Sequence, residues 1–514
     1  MTAPTATARS TVVLHLLGRP GYLTADRGAE LVRALNELAD STEFSATGPH
    51  WWSAFDEHAR GIDQSLSRVT ASAVGSPAPQ ELLPGWKWAL AVCAADGRIR
   101  QRALASGELP VGEPAAIPLL VVRCSDWAAP VRAAARVALA DVLARSGPAE
   151  LPRAAAMAWS CEQRRRGEDA VRIVAGHLAG APPELWRGLF ADPDHRVRRR
   201  ALSAAVDVDR CDMPQLLRLA ASDPDVVVAR SAAEHLLGTL VPSGADIPAT
   251  PQAEAVLRRL LASRVSAVRA VTVTVLRRAQ RPDLAEPFTA DRSKQVREIA
   301  RWVLRSSGQD PAPICRARLV RPAVEITPGA VAGLAESGDV GVPPAADLLR
   351  PHLTHQRPGV RAAVVRALGA MRPAAVTTAE LLTLMEHDPA PRVVRTAATL
   401  LEAEADTVPR SRLDDLLAPG RPAPLRARAA RILRATGTWE RLEIDLRLLH
   451  DADPDLAVAA RRDIRVWVGS AAAGRARLSD EQRQTLLALL HAAPSIGDGN
   501  LRLIRFLLSR TDRP

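Results

Sequence analysis

Aromatic residues are scarce in this 514-residue chain: they make up 3% of it, and ten of them are Trp. A core with so few rings has to be built from Ala, Leu and Val, which favours closely packed helices over β-sheets. Lysine occurs only at Lys87 and Lys294, so nearly all of the 68 basic residues are Arg. Such a bias, beside abundant Ala, is typical of a GC-rich coding sequence, and the net charge of +11 is therefore weak evidence for nucleic-acid binding.

Cysteines are few and apolar runs are short. The five Cys lie far apart, form no Cys-x-x-Cys motif and are odd in number, which favours unpaired thiols in a reducing compartment. The N-terminal stretch MTAPTATARSTVVLHLLGRPGYL contains an apolar run of about six residues, too short for a signal peptide or a membrane span. We therefore expect a cytoplasmic protein with no membrane partner.

Catalytic motifs are missing as well. The sequence contains no G-x-x-x-x-G-K-[ST], G-x-G-x-x-G, H-E-x-x-H or G-x-S-x-G, so we expect no catalytic residue, cofactor or metal. Two weak metal patterns have ordinary interpretations. His352 and His355 fit a solvated loop better than a metal site, and Asp56, Glu57 and His58 fit a charged helix.

What the chain does contain is a repeat. Residues 191–206 read ADPDHRVRRRALSAAV, and the pattern returns from residue 222 as SDPDVVVARSAAEHLL. Asp192 suits an N-cap and Pro193 the first helical position, and the apolar residues that follow are spaced along one helical face. A second short apolar stretch, MPQLLRLAA, precedes the next start, so the unit is a helical hairpin of roughly 30 residues.

The apolar residue of the Val-Arg-like pair recurs along the chain, with Val171 as a weaker member. The recurrences are Ile99, Val131, Val197, Val228, Val268, Val296, Val360, Val394, Leu425, Val458 and Leu501. The gap between Val296 and Val360 leaves room for one degenerate unit near Val331. A period of this length predicts a solenoid, because one hairpin cannot bury its apolar face alone.

The pattern D-P-x-x-x-V-R-x-x-A-x-x-x-L, as in DPDHRVRRRALSAA and DRSKQVREIARWVL, resembles HEAT repeats, and the short period is closest to the HEAT-like units of the phycobilisome-lyase group. The resemblance covers about residues 85–514 and implies an all-α, right-handed α-solenoid of eleven to thirteen stacked hairpins. It also implies a polar ladder between neighbouring units. The implied ladder residues are Asp126, Asp192, Asp223, Asp291 and Asp453, with Arg132, Arg198, Arg269, Arg297, Arg361, Arg395 and Arg426.

Domain limits follow from where the signature stops. Residues 1–84 lack it and are predicted to form a helical cap, with a separate binding module as the alternative. Residues 85–305 and 330–514 are predicted to form two HEAT-like sub-arrays, and the Pro-rich range 306–329 between them is predicted to be a loop or hinge. The range 241–252 is a second candidate bend.

We expect a monomeric, non-catalytic scaffold that holds a protein or peptide in its concave groove. The alternative is a DNA- or RNA-binding solenoid, and resemblance to the DNA glycosylases or bilin lyases among HEAT-like proteins leaves an enzyme as a third hypothesis. The candidate contacts with a partner or nucleic acid are Arg164, Arg165, Arg166, Arg258, Arg259, Trp51 and Trp52. If the Trp residues are buried, they would instead anchor the cap.

Overall fold

The computed structural model describes residues 8–19, 24–60, 62, 81–105, 113–241, 250–371, 373–469, 478–493 and 496–510. Helices dominate these ranges and no residue in them forms a β-strand, so the all-α prediction is confirmed. No helix within the same ranges is both long and apolar enough to cross a lipid bilayer.

Short helices fill the N-terminal part, and paired helices follow. The N-terminal helices are Arg9–Gly18, Ala25–Ala39, Thr42–Ser45 and Pro49–Ala59. The first helices of the hairpins are Pro84–Cys93, Ala116–Cys124, Leu151–Cys161, Pro183–Phe190, Met213–Ser222, Pro251–Leu261, Pro282–Ala285 (continued by a 3₁₀ turn, Glu286–Ala290), Pro311–Ala317, Ala345–Leu349 (continued by Arg350–Thr354), Thr378–His387, Arg410–Leu417, Thr438–Leu448 and Asp480–Ala492. The second helices are Gly97–Ala105, Ala129–Arg145, Glu168–Ala179, His195–Asp207, Val226–Leu240, Ser266–Arg278, Lys294–Ser306, Pro328–Glu336, Pro358–Ala370, Pro391–Ala403, Ala423–Ala435, Pro454–Val468 and Asp498–Arg510.

These helices make thirteen hairpins within the described part of the chain, in agreement with the expected number. The degenerate unit expected near Val331 is present as the helix Pro328–Glu336, in which Val331 is buried.

The chain divides into two compact units, whose boundary falls between Val268 and Arg269. The described residues of the first unit run from 8 to 268, and those of the second from 269 to 510. The range 306–329 lies wholly in the second unit and includes the helix Pro311–Ala317, so the boundary between the two units does not fall there. A hinge in this range stays a prediction, and so do the predicted domain ranges. Most of the other candidate bend, 241–252, lies outside the described residues.

Each second helix buries one face built from residues spaced by four. In His195–Asp207 these are Val197, Ala201 and Ala205, and all three are buried. Small Ala side chains allow neighbouring second helices to approach closely. In the first unit Ala129–Arg145 packs against the second helices on both sides of it, and in the second unit Pro358–Ala370 does the same.

The start of the helix predicted around Asp192 lies two residues later than expected. The helix begins at His195, and its N-cap is Asp194, whose carboxylate accepts a hydrogen bond from the N–H of Arg196. Asp192 instead accepts a bond from the N–H of Asp194 at 2.8 Å, and Pro193 lies in the turn before the helix. The Asp-Pro-Asp motif offers two cap candidates, and helical periodicity alone does not choose between them.

The N-terminal segment is fixed on the first hairpin by polar contacts. The indole Nε1 of Trp86 donates to the carbonyl oxygen of Leu35 at 2.8 Å. The buried Asn36 side chain donates to the carbonyl oxygen of Glu81 at 3.0 Å and accepts from the N–H of Leu83 at 3.3 Å. These contacts agree with a capping role for the segment, which stays a prediction.

Candidate interaction surface

A ladder of buried Arg–Asp pairs joins consecutive hairpins inside each unit. Arg198, which follows the buried Val197, donates from Nε and Nη2 to the two carboxylate oxygens of Asp223 at 2.9 and 3.0 Å. Its Nη1 also donates to the carbonyl oxygen of Asp192 at 2.7 Å. The other bidentate pairs are Arg100–Asp126, Arg269–Asp291, Arg361–Asp388 and Arg426–Asp451.

At two positions the ladder Arg and the carboxylate of the next hairpin are replaced together. Ala229 takes the Arg position, and Ser263 stands where the next Asp would be. Val394 and Gly420 form a second such pair. Because a buried charge without its partner is costly, this joint replacement indicates a structural role for the ladder.

The sequence placed two ladder residues in the wrong register. Asp453 is the N-cap of Pro454–Val468, while Asp451 pairs with Arg426. In the same helix Leu456 is buried and Val458 is 59% exposed, so the repeat begins two residues earlier than predicted. The predicted ladder residue Arg395 is exposed. Asp388 stands five residues before the buried Val393, so Val394 takes the ladder position and Arg395 lies one residue beyond it.

The ladder is interrupted at the hairpin formed by residues 151–179. Arg165 occupies the Asp position and Val171 the Arg position, so Arg132 donates to the carbonyl oxygens of Asp126 and Trp127 and to no carboxylate in the described ranges. On the other side Asp192 has no ladder Arg, and burial raises the pKa of its carboxyl group. The predicted ladder roles of Arg132 and Asp192 are therefore wrong at the side-chain level.

Arg297 also departs from the predicted ladder. Its Nε and Nη2 donate to the carboxylate of Glu336 at 3.0 and 2.5 Å, and the same carboxylate accepts from Arg301 at 2.9 Å. Glu336 lies at the end of a second helix rather than before one. Sequence spacing could not find it, because the degenerate hairpin does not carry its carboxylate at the expected position.

The three candidate residues Arg164, Arg165 and Arg166 lie in the turn that interrupts the ladder. Arg164 donates from Nη2 to the Oγ of Ser53 at 3.0 Å, which places it beside the helix Pro49–Ala59. Arg165 and Arg166 are exposed, and Arg166 adopts a left-handed backbone conformation with φ of 75°. This turn therefore presents two guanidinium groups to solvent.

Arg164 also lines a groove of about 440 Å³ with residues of Pro49–Ala59, among them His50, Asp56 and Glu57. Asp56 is buried and paired with Arg123 and Arg60. The mixed charge of the groove does not select one kind of ligand.

Trp51 and Trp52, the aromatic candidates, belong to a cluster that contains Phe44, Phe55 and Trp86. Trp52 is 1% exposed and presents no surface to a partner. Trp51 is half-buried, and its Nε1 donates to the carbonyl oxygen of Ser10 at 2.9 Å. The cluster agrees with the packing alternative for both residues.

Arg258 and Arg259 lie on the helix Pro251–Leu261, and both are exposed. Arg258 donates to Glu254 on the same helix at 3.3 Å. The structure brings Arg164 and the helix that carries Trp51 and Trp52 together, but no hydrogen bond or ion pair among the described residues joins Arg258 or Arg259 to them.

The Arg run at residues 198–200 is largely neutralised by the fold. Arg198 pairs with Asp223, Arg199 donates to the carboxylate of Asp225 at 2.9 and 2.7 Å, and Arg200 pairs with Glu162. Guanidinium groups already bound to carboxylates are poor phosphate ligands, so this run does not support nucleic-acid binding.

Two exposed Trp residues were not among the candidates predicted from the sequence. Trp302 is 44% exposed, and the guanidinium carbon of Arg277 lies 4.9 Å from its ring centroid. Trp127 is 69% exposed, with Arg100 at 5.7 Å from its ring. Trp302 stands six residues after the buried Val296 on Lys294–Ser306, a position that helical periodicity places away from the core.

A fully buried carboxyl group and a half-buried one lie side by side within the second unit. Asp445, which is fully buried, accepts bonds from Nε and Nη2 of Arg434 at 2.8 and 2.6 Å. Asp463 beside it is paired bidentately with Arg441 at 2.6 and 2.7 Å. Burial, together with the neighbouring carboxylate of Asp463, raises the pKa of Asp445 to about 8.

This raised pKa predicts a pH-dependent stability. The native state keeps a proton that the unfolded chain releases near its ordinary pKa of 3.8, so the stability contribution is full below that pH and is lost as the pH rises to about 8. We expect the free energy of unfolding to fall by up to about 1.4 kcal/mol per pH unit across this window. Urea denaturation between pH 5 and pH 8 measures it. Asp445→Asn should flatten the slope and the exposed Asp414→Asn should not; equal slopes in all three proteins would contradict the assignment.

In the described ranges no group of three His, Cys, Asp or Glu residues is placed to hold a metal ion.

Comparison with known proteins gives one family-model match and several structural matches. Residues 316–402 match the family model of HEAT repeats. A search among curated proteins found no match.

Three similar solved structures are karyopherins. Importin beta, in an ammonium sulfate condition, is 12% identical with a TM-score of 0.31 over 98% of this chain and 68% of its own. Kap95p bound to RanGDP is 12% identical with a TM-score of 0.35 over 84% and 67%. Kap121p bound to the extreme C-terminus of the phosphatase Cdc14p is 11% identical with a TM-score of 0.32 over 98% and 66%.

The matched range covers the hairpins from Pro328–Glu336 to Pro391–Ala403, and the same unit of paired helices recurs before and after it. The described part of the chain is therefore an all-α array of paired helices, of which residues 316–402 match the HEAT-repeat family model.

Proposed function

We propose that the chain is a non-catalytic scaffold that binds a protein or peptide partner through the face of its second helices, in the concave groove typical of repeat arrays. The observation that carries this proposal is Trp302. A large aromatic ring left in water and stacked with Arg277 is the combination of residue types that most often dominates binding energy at protein interfaces.

Nucleic-acid binding has weaker support. The basic run at Arg198–Arg200 is bound to carboxylates, and Arg164 is engaged by Ser53. These two Arg clusters could then neutralise few phosphates together, which predicts low affinity and a shallow salt dependence for nucleic acid bound there. We further propose that the scaffold works as a monomer in the cytoplasm, in keeping with unpaired thiols at all five cysteines.

The scaffold proposal predicts that Trp302→Ala abolishes partner capture. Purified tagged protein is incubated with a lysate of the source organism, and bound proteins are quantified by mass spectrometry. We expect the proteins enriched on the parent to fall at least about tenfold on the variant, the loss expected when a hot-spot aromatic is truncated.

Val320→Ala is the matched control, because Val320 is exposed in the same unit but lies outside the second helices. It should leave capture unchanged. Equal capture by the parent and Trp302→Ala would refute the proposal, as would capture that disappears after nuclease treatment.

A further inference from the structure

Four consecutive hairpins of the second unit, spanning residues 345–468, separate charge between their two sets of helices. The second helices, Pro358–Ala370, Pro391–Ala403, Ala423–Ala435 and Pro454–Val468, carry eleven Arg and three acidic residues. The matching first helices carry five Arg and eight acidic residues. The second helices therefore form a basic layer beside an acidic one.

Only part of this basic layer is used by the fold. Arg361 and Arg426 belong to the ladder, Arg434 binds Asp445, and Arg431 binds Glu402 at 2.8 Å. The remaining seven Arg have no carboxylate partner among the described residues, and all but the half-buried Arg428 are exposed. They are Arg366, Arg392, Arg395, Arg428, Arg461, Arg462 and Arg465.

Helical geometry places several Arg residues of the basic layer, paired and unpaired, on one face. Arg366, Arg431 and Arg462 each stand six residues after the buried third residue of their helix, and Arg395 stands two residues after it. At about 100° per residue, positions two and six lie about 40° apart and point away from the buried face. Arg428 stands three residues after the buried Leu425, about 60° from position six and at the edge of this face. We name Arg366, Arg395, Arg428, Arg431 and Arg462 the basic face.

At the centre of the basic face the guanidinium groups crowd one another. Burial and the nearby charges of Arg395 and Arg431 lower the pKa of Arg428. Arg395 and Arg428 lie on successive second helices that pack together. A negatively charged ligand would relieve this repulsion, and no carboxylate among the described residues does so for Arg395 or Arg428.

We propose that the basic face binds an extended, acidic segment of a partner protein, an inference that rests on the scaffold function proposed above. Neighbouring helices lie about 8–10 Å apart, and an extended chain advances about 3.3 Å per residue. An acidic residue at every third position of the segment would therefore meet each successive helix.

A protein segment fits this face better than a nucleic acid does. Glu402 lies within the basic face, where it would repel a continuous phosphate backbone but can be bypassed by a peptide with spaced charges. The four second helices contain one aromatic residue, Trp467, and it is buried. Base stacking, on which single-stranded nucleic-acid binding depends, has no exposed ring on these helices.

The test uses the full chain and a fluorescein-labelled peptide of repeated Gly-Ser-Glu triplets. Fluorescence anisotropy at physiological ionic strength compares it with a Gly-Ser-Lys peptide and with an oligothymidine of equal net charge. We expect binding of the acidic peptide alone. The double variant Arg395→Glu with Arg428→Glu should weaken it by at least about tenfold, the loss typical of reversing charges in an interface.

Arg366→Glu with Arg462→Glu provides a second pair of exposed sites, in case the first double variant does not fold. Arg196→Glu with Arg218→Glu changes the net charge equally at two exposed sites of the first unit and should leave the affinity unchanged. Equal affinity in all variants, or tighter binding of the oligothymidine, would overturn the proposal. If the peptide fails to bind while Trp302-dependent protein capture persists, the acidic segment is rejected and the scaffold stands.

Discussion

Replacing Asp126 with Asn is expected to lower the free energy of unfolding of the first unit by about 3–5 kcal/mol, the range found when one partner of a buried ion pair is removed. The carboxylate of Asp126 accepts bonds from Arg100 at 2.9 and 3.0 Å and from Arg123 at 2.8 Å, and all three side chains are almost completely buried. Asn keeps the volume of the side chain but leaves Arg100 without a counter-charge.

Urea denaturation followed by circular dichroism measures this loss. Asp141→Asn is the matched control, since Asp141 pairs with Arg145 at the surface of the neighbouring second helix. Removing an exposed pair changes stability by at most about 1 kcal/mol. A similar small effect at Asp126 would mean that the ladder does not hold the hairpins together.

Ala201→Asp and Leu304→Asp should each destabilise their own unit by about 4 kcal/mol or more, because each buries a charge without a partner. Ala201 and Leu304 are fully buried on the packed faces of second helices, four and eight residues after the third residue of their helices. Thermal unfolding of the two variants measures the loss.

Ser203→Asp introduces the same charge on the exposed side of the helix that contains Ala201. It should unfold within a few degrees of the parent, as surface substitutions usually do. If Ala201→Asp and Leu304→Asp also unfold like the parent, the helices are packed in a different register from the one described.

The fold was largely predictable because local and global signals agree in this chain. Caps, helical periodicity and small residues recur together, and a hairpin that cannot bury its own face has to stack. The predicted ladder is confirmed at Arg198, Arg269, Arg361 and Arg426. The errors at Asp453 and Arg395 arose where neighbouring residues fit the same pattern, so that only the bidentate contact identifies the correct register.

The interaction surface was much less predictable. The sequence of an Arg run does not show whether its side chains are exposed, as at Arg165 and Arg166, or bound to carboxylates distant in sequence, as at Arg198–Arg200. Likewise, sequence cannot tell the buried Trp52 from the exposed Trp302 without the tertiary contacts. The basic face could have been found by counting charge separately on first and second helices.

Photo-crosslinking at residue 302 tests the central claim most directly. A photoreactive phenylalanine analogue replaces Trp302 in one protein and the exposed Val320 in another, and both are irradiated in cells of the source organism. If the second helices form a protein-binding face, residue 302 gives discrete adducts that proteases destroy and nucleases do not, and residue 320 gives none of them. Adducts at residue 302 that nucleases remove, or identical adducts at both positions, would contradict a protein-binding scaffold.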